Sequence, residues 1–179
     1  MNVTRDSRVK RMALALLVAI FGGFVATPVF SQDILFDIAK TQQCLASSDG
    51  PDHSRACIGA SAEQCMLATP EAGSTYGMGA CLDHEYTWWD GQLNEVYRAL
   101  MQREKRDDLE MRQDGIDAPS KADALLTMQR QWIKFRDATC DYEYSQWGGG
   151  TGGGPASVSC ALRMTAKQTL YLKNSSQGY

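Results

Sequence analysis

Histidine is nearly absent from the sequence, which has only His53 and His84 among its 179 residues. No motif surrounds either residue, and hydrolytic catalysis usually needs a nucleophile with a base, or a metal ion. A zinc site built from the two histidines and carboxylates is the alternative, but it has no recognisable ligand spacing. We therefore expect a protein that is not an enzyme, with no catalytic residue, no metal site and no cofactor.

Long apolar runs are also lacking beyond the N-terminus. The run from Met12 to Val25 is shorter than the ~20 residues that span a bilayer, and four basic residues precede it. A basic segment, a short apolar run and small residues just before Gln32 are typical of a secretory signal peptide. We predict a signal peptide over residues 1–31, no membrane span after it, and a periplasmic or secreted protein.

A surplus of positive charge is missing as well. The sequence has 18 basic and 21 acidic residues, and residues 1–31 hold four of the basic and one of the acidic ones. The remaining chain therefore carries a net charge of −6. An acidic surface repels nucleic acid and speeds encounter with cationic proteins. We exclude nucleic-acid binding and expect a cationic exported partner.

No Cys-x-x-Cys motif is present, although the sequence has six cysteines, all beyond residue 31. An even number of cysteines in a small exported chain is typical of three disulfides, for which about fifteen connectivities are possible. A metal site or a catalytic thiol fits less well, because a reactive cysteine would leave the count odd. We favour pairing between sequence neighbours.

No segment alternates apolar and polar residues as a half-buried strand does, so we predict an all-α protein. Residues 32–64 are interpreted as an N-terminal extension of short helices. A first long helix follows from Leu82, with apolar residues three and four positions apart, and Gly115 is a natural stop. The charged run over residues 103–108 is interpreted as a solvated face of that helix.

A second long helix is predicted from Ser120, where Asp123 completes a capping box, to about Trp147. The glycine-rich segment over residues 148–155 is interpreted as a flexible connector, because a helix there would cost too much backbone entropy. A third helix is predicted from about Ala156 to Lys173. The inward-facing residues of the last two helices are expected to be Leu125, Met128, Trp132, Phe135, Thr139, Val158, Leu162, Thr165, Thr169 and Leu172.

The predicted fold is thus a small disulfide-stapled helical bundle. It has two long antiparallel helices, a glycine-rich loop and a C-terminal helix, and residues 175–179 form a tail.

Three motifs together resemble a known family. They are Trp89-Asp90-x-x-Leu93-Asn94-x-x-Tyr97, Gln131-Trp132-Ile133-x-x-Arg136-Asp137-x-x-Cys140, and Cys160-x-x-x-x-Thr165. In this order they resemble the LprI-type lysozyme-inhibitor domain, here over residues 65–174. The resemblance implies an exported helical domain, disulfides Cys65–Cys81 and Cys140–Cys160, and inhibition of lysozyme as the function. Nearest-neighbour pairing adds Cys44–Cys57.

The motif residues are interpreted as mainly structural. Asp90 and Asn94 lie four residues apart on one helix face, so a polar network with Arg136 is expected, with aromatic residues packed around it. Adjacent helical positions diverge by about 100°, so Trp88 and Trp89 do not both face the core. We expect Trp88 to point outward as a candidate partner contact.

The surface that meets lysozyme is predicted at the glycine-rich loop. Lysozyme is basic overall but has two carboxylates in its cleft, so a third carboxylate there would be unfavourable. An element that enters the cleft should therefore be neutral or basic. Tyr142, Tyr144, Trp147 and Thr151 have the composition of protein-binding loops. The alternative is that these aromatics pack between helices and the glycines only let the two helices be joined.

A second class of function stays open at this point. In it, the protein is an interaction module of the cell envelope that binds another exported protein or a cell-wall component and inhibits no enzyme. Its contacts would then lie on the charged end of the first long helix or on residues 32–58.

Overall fold

The computed structural model describes residues 34–176. The predicted signal peptide over residues 1–31 and most of the predicted tail lie outside the described residues. Within this range the chain is helical and has no strand, which confirms the predicted all-α fold. The helices are α1 (Ala39–Ala46), α2 (Pro51–Ala56), α3 (Ala60–Met66), α4 (Thr75–Gln113), α5 (Lys121–Ser145) and α6 (Gly153–Ser175). No helix in this part of the chain is long and apolar enough to cross a membrane.

Helices α5 and α6 run antiparallel. The amide of Gln168 on α6 donates to the side-chain carbonyl of Gln129 on α5 at 2.9 Å. The disulfide Cys140–Cys160 joins the same helices, with a Cα–Cα distance of 5.4 Å. Residue numbers therefore rise along α5 as they fall along α6, which defines the antiparallel direction.

Helix α4 runs parallel to α6, and hence antiparallel to α5. The hydroxyl of Thr169 donates to the carbonyl of Trp89 at 3.4 Å. Farther along both helices, the guanidinium of Arg103 donates to the carbonyl of Ser175 at 3.1 Å. The three long helices form the bundle in which α6 packs against both α4 and α5.

The core of the bundle has two apolar clusters, one along the middle of α6 and one near its C-terminal end. The first contains Ala62, Leu82, Trp89, Leu162, Ala166 and Leu170. The second contains Leu93, Leu100, Leu125 and Leu172. Burial of each large side chain stabilises the fold by about 1.5–3 kcal/mol, so these residues supply much of the driving force for folding.

Helix α4 begins at Thr75, well before Leu82, where the sequence pattern starts. The hydroxyl of Ser74 accepts from the amide of Gly77 at 3.1 Å and caps the first turn. A Cβ at Gly77 would stand 2.1 Å from the carbonyl oxygen of Glu71. Glycine lowers helix propensity, so the sequence of this segment does not predict the start of a helix. Close packing against the preceding loop nevertheless requires glycine at this position.

The end of α4 agrees with the predicted stop. Gly115 has a φ of +70°, in the left-handed region that favours glycine. Its amide donates to the carbonyl of Arg112, and the amide of Ile116 donates to the carbonyl of Met111 at 2.9 Å. These two bonds define a Schellman motif, which satisfies carbonyls that the last turn would leave unpaired.

The prediction that residues 103–108 are only a solvated helix face is wrong. Asp108 is buried, and its carboxylate accepts from the hydroxyl of Ser120 at 2.7 Å and the amides of Lys121 and Ala122. It therefore caps the start of α5, together with Ser120 itself. The pattern of charged residues along one helix does not reveal that the end of a second helix packs against that helix.

Glu104 is the second buried residue of this run. Its carboxylate pairs with Arg103 at 2.7 Å. Because Arg103 also donates to the last carbonyls of α6, this part of α4 holds the ends of both neighbouring long helices.

Two disulfides hold the N-terminal helices. Cys44–Cys57 joins the end of α1 to the residue after α2, and Cys65–Cys81 joins α3 to α4. With Cys140–Cys160 they give three bridges between sequence neighbours. Each closes a short loop and can stabilise the fold by about 3 kcal/mol.

Glu85 connects the N-terminal helices to the bundle. Its side chain is fully buried, and the carboxylate accepts from the amides of Gly59 at 2.8 Å and Ala62 at 2.7 Å. It also accepts from the hydroxyl of Thr41 and the indole N–H of Trp89. Because Gly59 offers no side-chain cap to α3, Glu85 of α4 caps that helix across the fold.

Phe135 does not face inward as predicted, since its side chain is 64% exposed. The bundle side of α5 includes Leu125, Gln129 and Cys140, which are buried, and Arg136, which is half-buried. These residues lie four or seven positions apart, which places them on one helix face, and Phe135 precedes Arg136, so it points about 100° away. The predicted row that includes Phe135 and the observed row that includes Arg136 both fit helical spacing. The observed row faces the bundle because that side of α5 packs against α6.

Candidate functional site

The connection from α5 to α6 is a hydrogen-bonded turn over residues 146–152. Gly148 and Gly149 have φ values of +54° and +85°, which a residue with a side chain rarely adopts. The amide of Gly150 donates to the carbonyl of Trp147 at 2.8 Å. The turn therefore needs glycine at two positions to reverse the chain within this short span.

The prediction of a flexible connector over residues 148–155 is wrong for its second half. Helix α6 begins at Gly153 rather than near Ala156. Pro155 lies within its first turn, where a helix has no partner for the amide that proline lacks. The argument from the backbone entropy of glycine did not predict this helix start. It left out the fixed φ of proline and the packing of side chains against Gly152 and Gly153.

Two aromatic rings pack directly against glycine backbone at this turn. A Cβ on Gly152 would stand 2.1 Å from Cζ3 of Trp147, so the indole occupies the place of a side chain. A Cβ on Gly153 would stand 3.0 Å from Cε2 of Tyr144. The glycines therefore hold these two rings in place as well as turning the chain.

We call the group of Tyr142, Tyr144, Trp147 and Thr151 the aromatic corner. The exposed fractions of the three aromatic side chains are 66%, 53% and 52%, and Thr151 is exposed. The sequence placed these four residues together, and the structure brings them to one end of the bundle. The rings of Tyr144 and Trp147 contact the glycines on one side and solvent on the other.

Charged groups border the aromatic corner but do not enter it. No charged residue lies between Glu143 and Arg163 in the sequence. These two residues form a bidentate ion pair across α5 and α6, with N–O distances of 2.9 and 3.1 Å. Asp141 is exposed on the same end of α5. The four residues of the corner are therefore neutral, and the acidic residues Asp141 and Glu143 lie next to them in the sequence.

The motif residues of the sequence occupy three kinds of environment. Trp89, Leu93 and Thr165 are buried, while Asp90, Tyr97, Trp132 and Arg136 are half-buried. Asn94, Gln131 and Asp137 are exposed. The motif follows the contact faces of α4, α5 and α6, and it does not converge on one cleft.

The expected network of Asp90, Asn94 and Arg136 is replaced by two separate groups. Asn94 donates to Asp90 at 2.9 Å on the surface of α4. Arg136 donates to Asp137 at 2.9 Å and to the hydroxyl of Thr165 at 3.4 Å. Helical spacing predicts the pair of Asp90 and Asn94. It does not show that the side chain of Arg136 turns toward Asp137 and α6.

Tyr86 lies among these charged residues and is half-buried. Burial raises the pKa of its hydroxyl above the usual 10.0, the nearby Arg136 lowers that pKa, and Asp90 and Asp137 raise it. The phenol therefore stays neutral at physiological pH and packs against the first core cluster.

A comparison of the sequence with protein-family models identifies the family. A family model described as "Lysozyme inhibitor LprI" matches residues 65–172. The chain belongs to the LprI family. In this LprI chain the matched region begins within α3 and ends within α6, so it includes α4, α5, most of α6 and the aromatic corner.

Two similar proteins are both described as uncharacterized. An uncharacterized 17.7 kDa protein of the puhA 5′ region of Rhodobacter capsulatus is 27% identical over 168 residues, which cover 93% of this chain and 98% of that protein. An uncharacterized protein of Rhizobium meliloti is 28% identical over 114 residues, which cover 64% of this chain and 82% of that protein. No solved structure matches the chain.

Trp88 is not part of the aromatic corner of the LprI domain. It is half-buried, and its ring lies 4.9 Å from that of Trp89 in an edge-to-face arrangement. It packs against the first core cluster and lines a separate groove between α4 and α6. The two indoles do differ in exposure as predicted, but Trp88 does not project freely into solvent.

The two histidines lie apart in the LprI chain. His53 contacts the carbonyl of Asp49 at 2.9 Å, and the ring of His84 stacks on Phe36 at 5.3 Å. Among the described residues, no three His, Cys, Asp or Glu side chains are grouped so as to hold a metal ion.

Proposed function

We propose that this LprI-family chain is an exported inhibitor of lysozyme, and that the aromatic corner is the surface that contacts the enzyme. The family match over residues 65–172 supports the class of function. The signal-peptide pattern over residues 1–31 and the three disulfides support export, because disulfides persist in oxidising compartments.

The packing of Trp147 and Tyr144 on glycine is the observation that carries the choice of surface. Large aromatic side chains dominate the binding energy of most protein interfaces. A ring held in place before binding loses less conformational freedom when the partner arrives. At this corner both rings are held by Gly152 and Gly153, yet about half of each remains exposed.

The charge around the corner suits a basic enzyme with an acidic cleft. The chain beyond residue 31 carries a net charge of −6, which attracts a cationic protein over a distance of about 10 Å at moderate salt. The corner itself carries no charge, so it can approach carboxylates without like-charge repulsion. Asp141 and Glu143 lie where they can meet a basic rim.

Lysis of cell walls by c-type and g-type lysozymes tests the proposal. The chain from Gln32 to Tyr179 should inhibit lysis stoichiometrically, and inhibition should weaken with salt and disappear after reduction of the disulfides. The double variant Tyr144→Ala, Trp147→Ala should raise the inhibition constant at least about tenfold. Tyr171→Ala is the matched control, since Tyr171 is also 53% exposed but lies near the other end of α6.

The outcomes separate the two parts of the proposal. Loss of inhibition in the double variant but not in Tyr171→Ala, with unchanged unfolding midpoints, supports the corner as the contact. Equal inhibition by all variants would contradict the corner and leave the function standing. Absence of inhibition by excess wild-type protein would overturn the function and favour an envelope interaction module.

A further inference from the structure

A concave surface lies between the N-terminal helices and the bundle, and the proposed function does not use it. It is a groove of ≈ 730 Å³ between the α1–α2 connection, one face of α4 and the last turns of α6. Cavities of about 300–1,000 Å³ are typical of small-molecule sites. This groove is therefore large enough for a ligand of that class.

The walls of the groove carry amide, carboxylate, ammonium and hydroxyl side chains. Gln92 and Glu95 lie on α4, Lys173 and Asn174 lie on α6, and Ser48 belongs to the α1–α2 connection. Within residues 34–176, none of the first four makes a side-chain hydrogen bond or an ion pair. Amide, carboxylate and ammonium groups thus face one space with their hydrogen-bonding capacity open to a ligand, while the hydroxyl of Ser48 is already bonded to the carbonyl of Leu45 and the hydroxyl of Ser54.

The apolar part of the groove combines aliphatic side chains with an indole. Trp88 lines it with Leu45, Val96 and Leu170. The electron-rich face of an indole attracts the partly positive C–H bonds that one face of a sugar ring presents. The amides and charged groups around it can exchange hydrogen bonds with sugar hydroxyls, which both donate and accept.

We propose that this groove binds an oligosaccharide, with Trp88 as the stacking platform and Gln92, Glu95, Lys173 and Asn174 as hydroxyl-binding groups. A peptide is a poorer match. Residues 34–176 offer no sheet edge to which a peptide strand can add, and a docked helix would need a longer apolar stripe. One carboxylate and one ammonium leave the groove without net charge, which suits a neutral glycan.

This assignment gives residues 32–58 a role. Leu45, Ser48 and Ser54 form the outer wall of the groove, and the disulfide Cys44–Cys57 closes the loop that holds them. The hydroxyls of Ser48 and Ser54 lie 2.8 Å apart and link the α1–α2 connection to α2. The wall lies outside the region matched by the family model.

The groove and the aromatic corner are independent surfaces. Leu170 lies 17 residues after Gly153 on α6, which corresponds to about 25 Å along the helix axis. A variant in one surface therefore leaves the other intact, and the protein can hold a glycan while the corner meets another partner.

Isothermal titration with two defined glycans tests the site. The N-acetylglucosamine tetramer and cellotetraose, which lacks the acetamido groups, are titrated into the chain from Gln32 to Tyr179. We expect binding of at least one glycan, and we expect Gln92→Ala and Asn174→Ala each to weaken it about threefold to tenfold. Gln102→Ala and Lys167→Ala are matched controls on exposed positions of the same helices outside the groove.

Trp88→Ala should remove most of the binding, and Trp88→Phe should restore part of it by keeping an aromatic face. If Trp88→Ala lowers the unfolding midpoint, the two amide variants still decide the question. Absence of heat with both glycans at up to about 1 mM, or equal loss in the control variants, overturns the site. Lysozyme inhibition by the groove variants should stay at the wild-type level, so this test is separate from that of the proposed function.

Discussion

The indole of Trp147 packs on the α-carbon of Gly152, and a Cβ there would stand 2.1 Å from Cζ3 of the ring. This contact orients a side chain that is still 52% exposed. A ring oriented on the surface without being buried is suited to binding, because its rotamer is already selected. Glycine at position 152 is thus needed by the neighbouring ring, since its own φ of −71° suits any residue.

Gly152→Ala should therefore displace the indole of Trp147 and weaken lysozyme inhibition several-fold. The ring lies at the surface and can move aside, so the free energy of unfolding should change by less than about 1 kcal/mol. Gly154→Ala is the control, because nothing lies within 4 Å of its Cβ position, and alanine in a helix stabilises by about 0.5–1 kcal/mol. Tryptophan fluorescence and inhibition constants check both variants. An unchanged spectrum and unchanged inhibition in Gly152→Ala would contradict the role of this contact.

Glu85 should be the polar residue on which stability depends most. Glu85→Ala leaves the amides of Gly59 and Ala62 and the indole N–H of Trp89 without their acceptor. Each buried group left unsatisfied costs about 1–3 kcal/mol, so we expect a loss of at least about 3 kcal/mol in urea unfolding. Asp83→Asn, at an exposed position of the same helix, should change stability by less than about 0.5 kcal/mol. Similar values for the two variants would refute the cross-fold cap.

Asp108 should make stability depend on acid pH. The hydroxyl of Ser120 donates to its carboxylate and lowers its pKa below the usual 3.8, and the amides of Lys121 and Ala122 act in the same direction. A carboxyl whose pKa is lower in the folded chain stabilises the fold above its unfolded pKa, and this contribution disappears as pH falls through the folded pKa. The wild type should therefore lose stability below about pH 4 more steeply than Asp108→Asn.

Thermal unfolding at several pH values between about 2 and 6 measures this slope. Asp117→Asn serves as the comparison, since Asp117 is exposed in the connection between α4 and α5. Parallel pH profiles for the wild type and Asp108→Asn would show that the buried carboxylate does not contribute.

Local chemistry accounts for the features that the sequence predicts well. Ser120 caps α5 because its hydroxyl reaches the amide of Asp123 at 3.1 Å, only three residues away. Gly115 ends α4 because the left-handed φ of that position favours glycine over residues with a side chain. The inward row of Leu162, Thr165, Thr169 and Leu172 follows from helical spacing, and all four are buried. Such features depend on residues within one or two turns.

The sequence by itself therefore determined the all-α class, the long helices and the family, while the tertiary structure alone decided what the charged and aromatic residues do. The sequence pattern predicts a solvated Asp108 and an inward-facing Phe135, and it assigns no role to Glu85. Their roles depend on contacts with helix ends or faces that are 12 or more residues away in the chain. The glycine-rich segment likewise contributes to a helix and packs against two aromatic rings only in the tertiary structure, where α5 and α6 come together. Burial and hydrogen bonds between helices outweigh local helix propensity there.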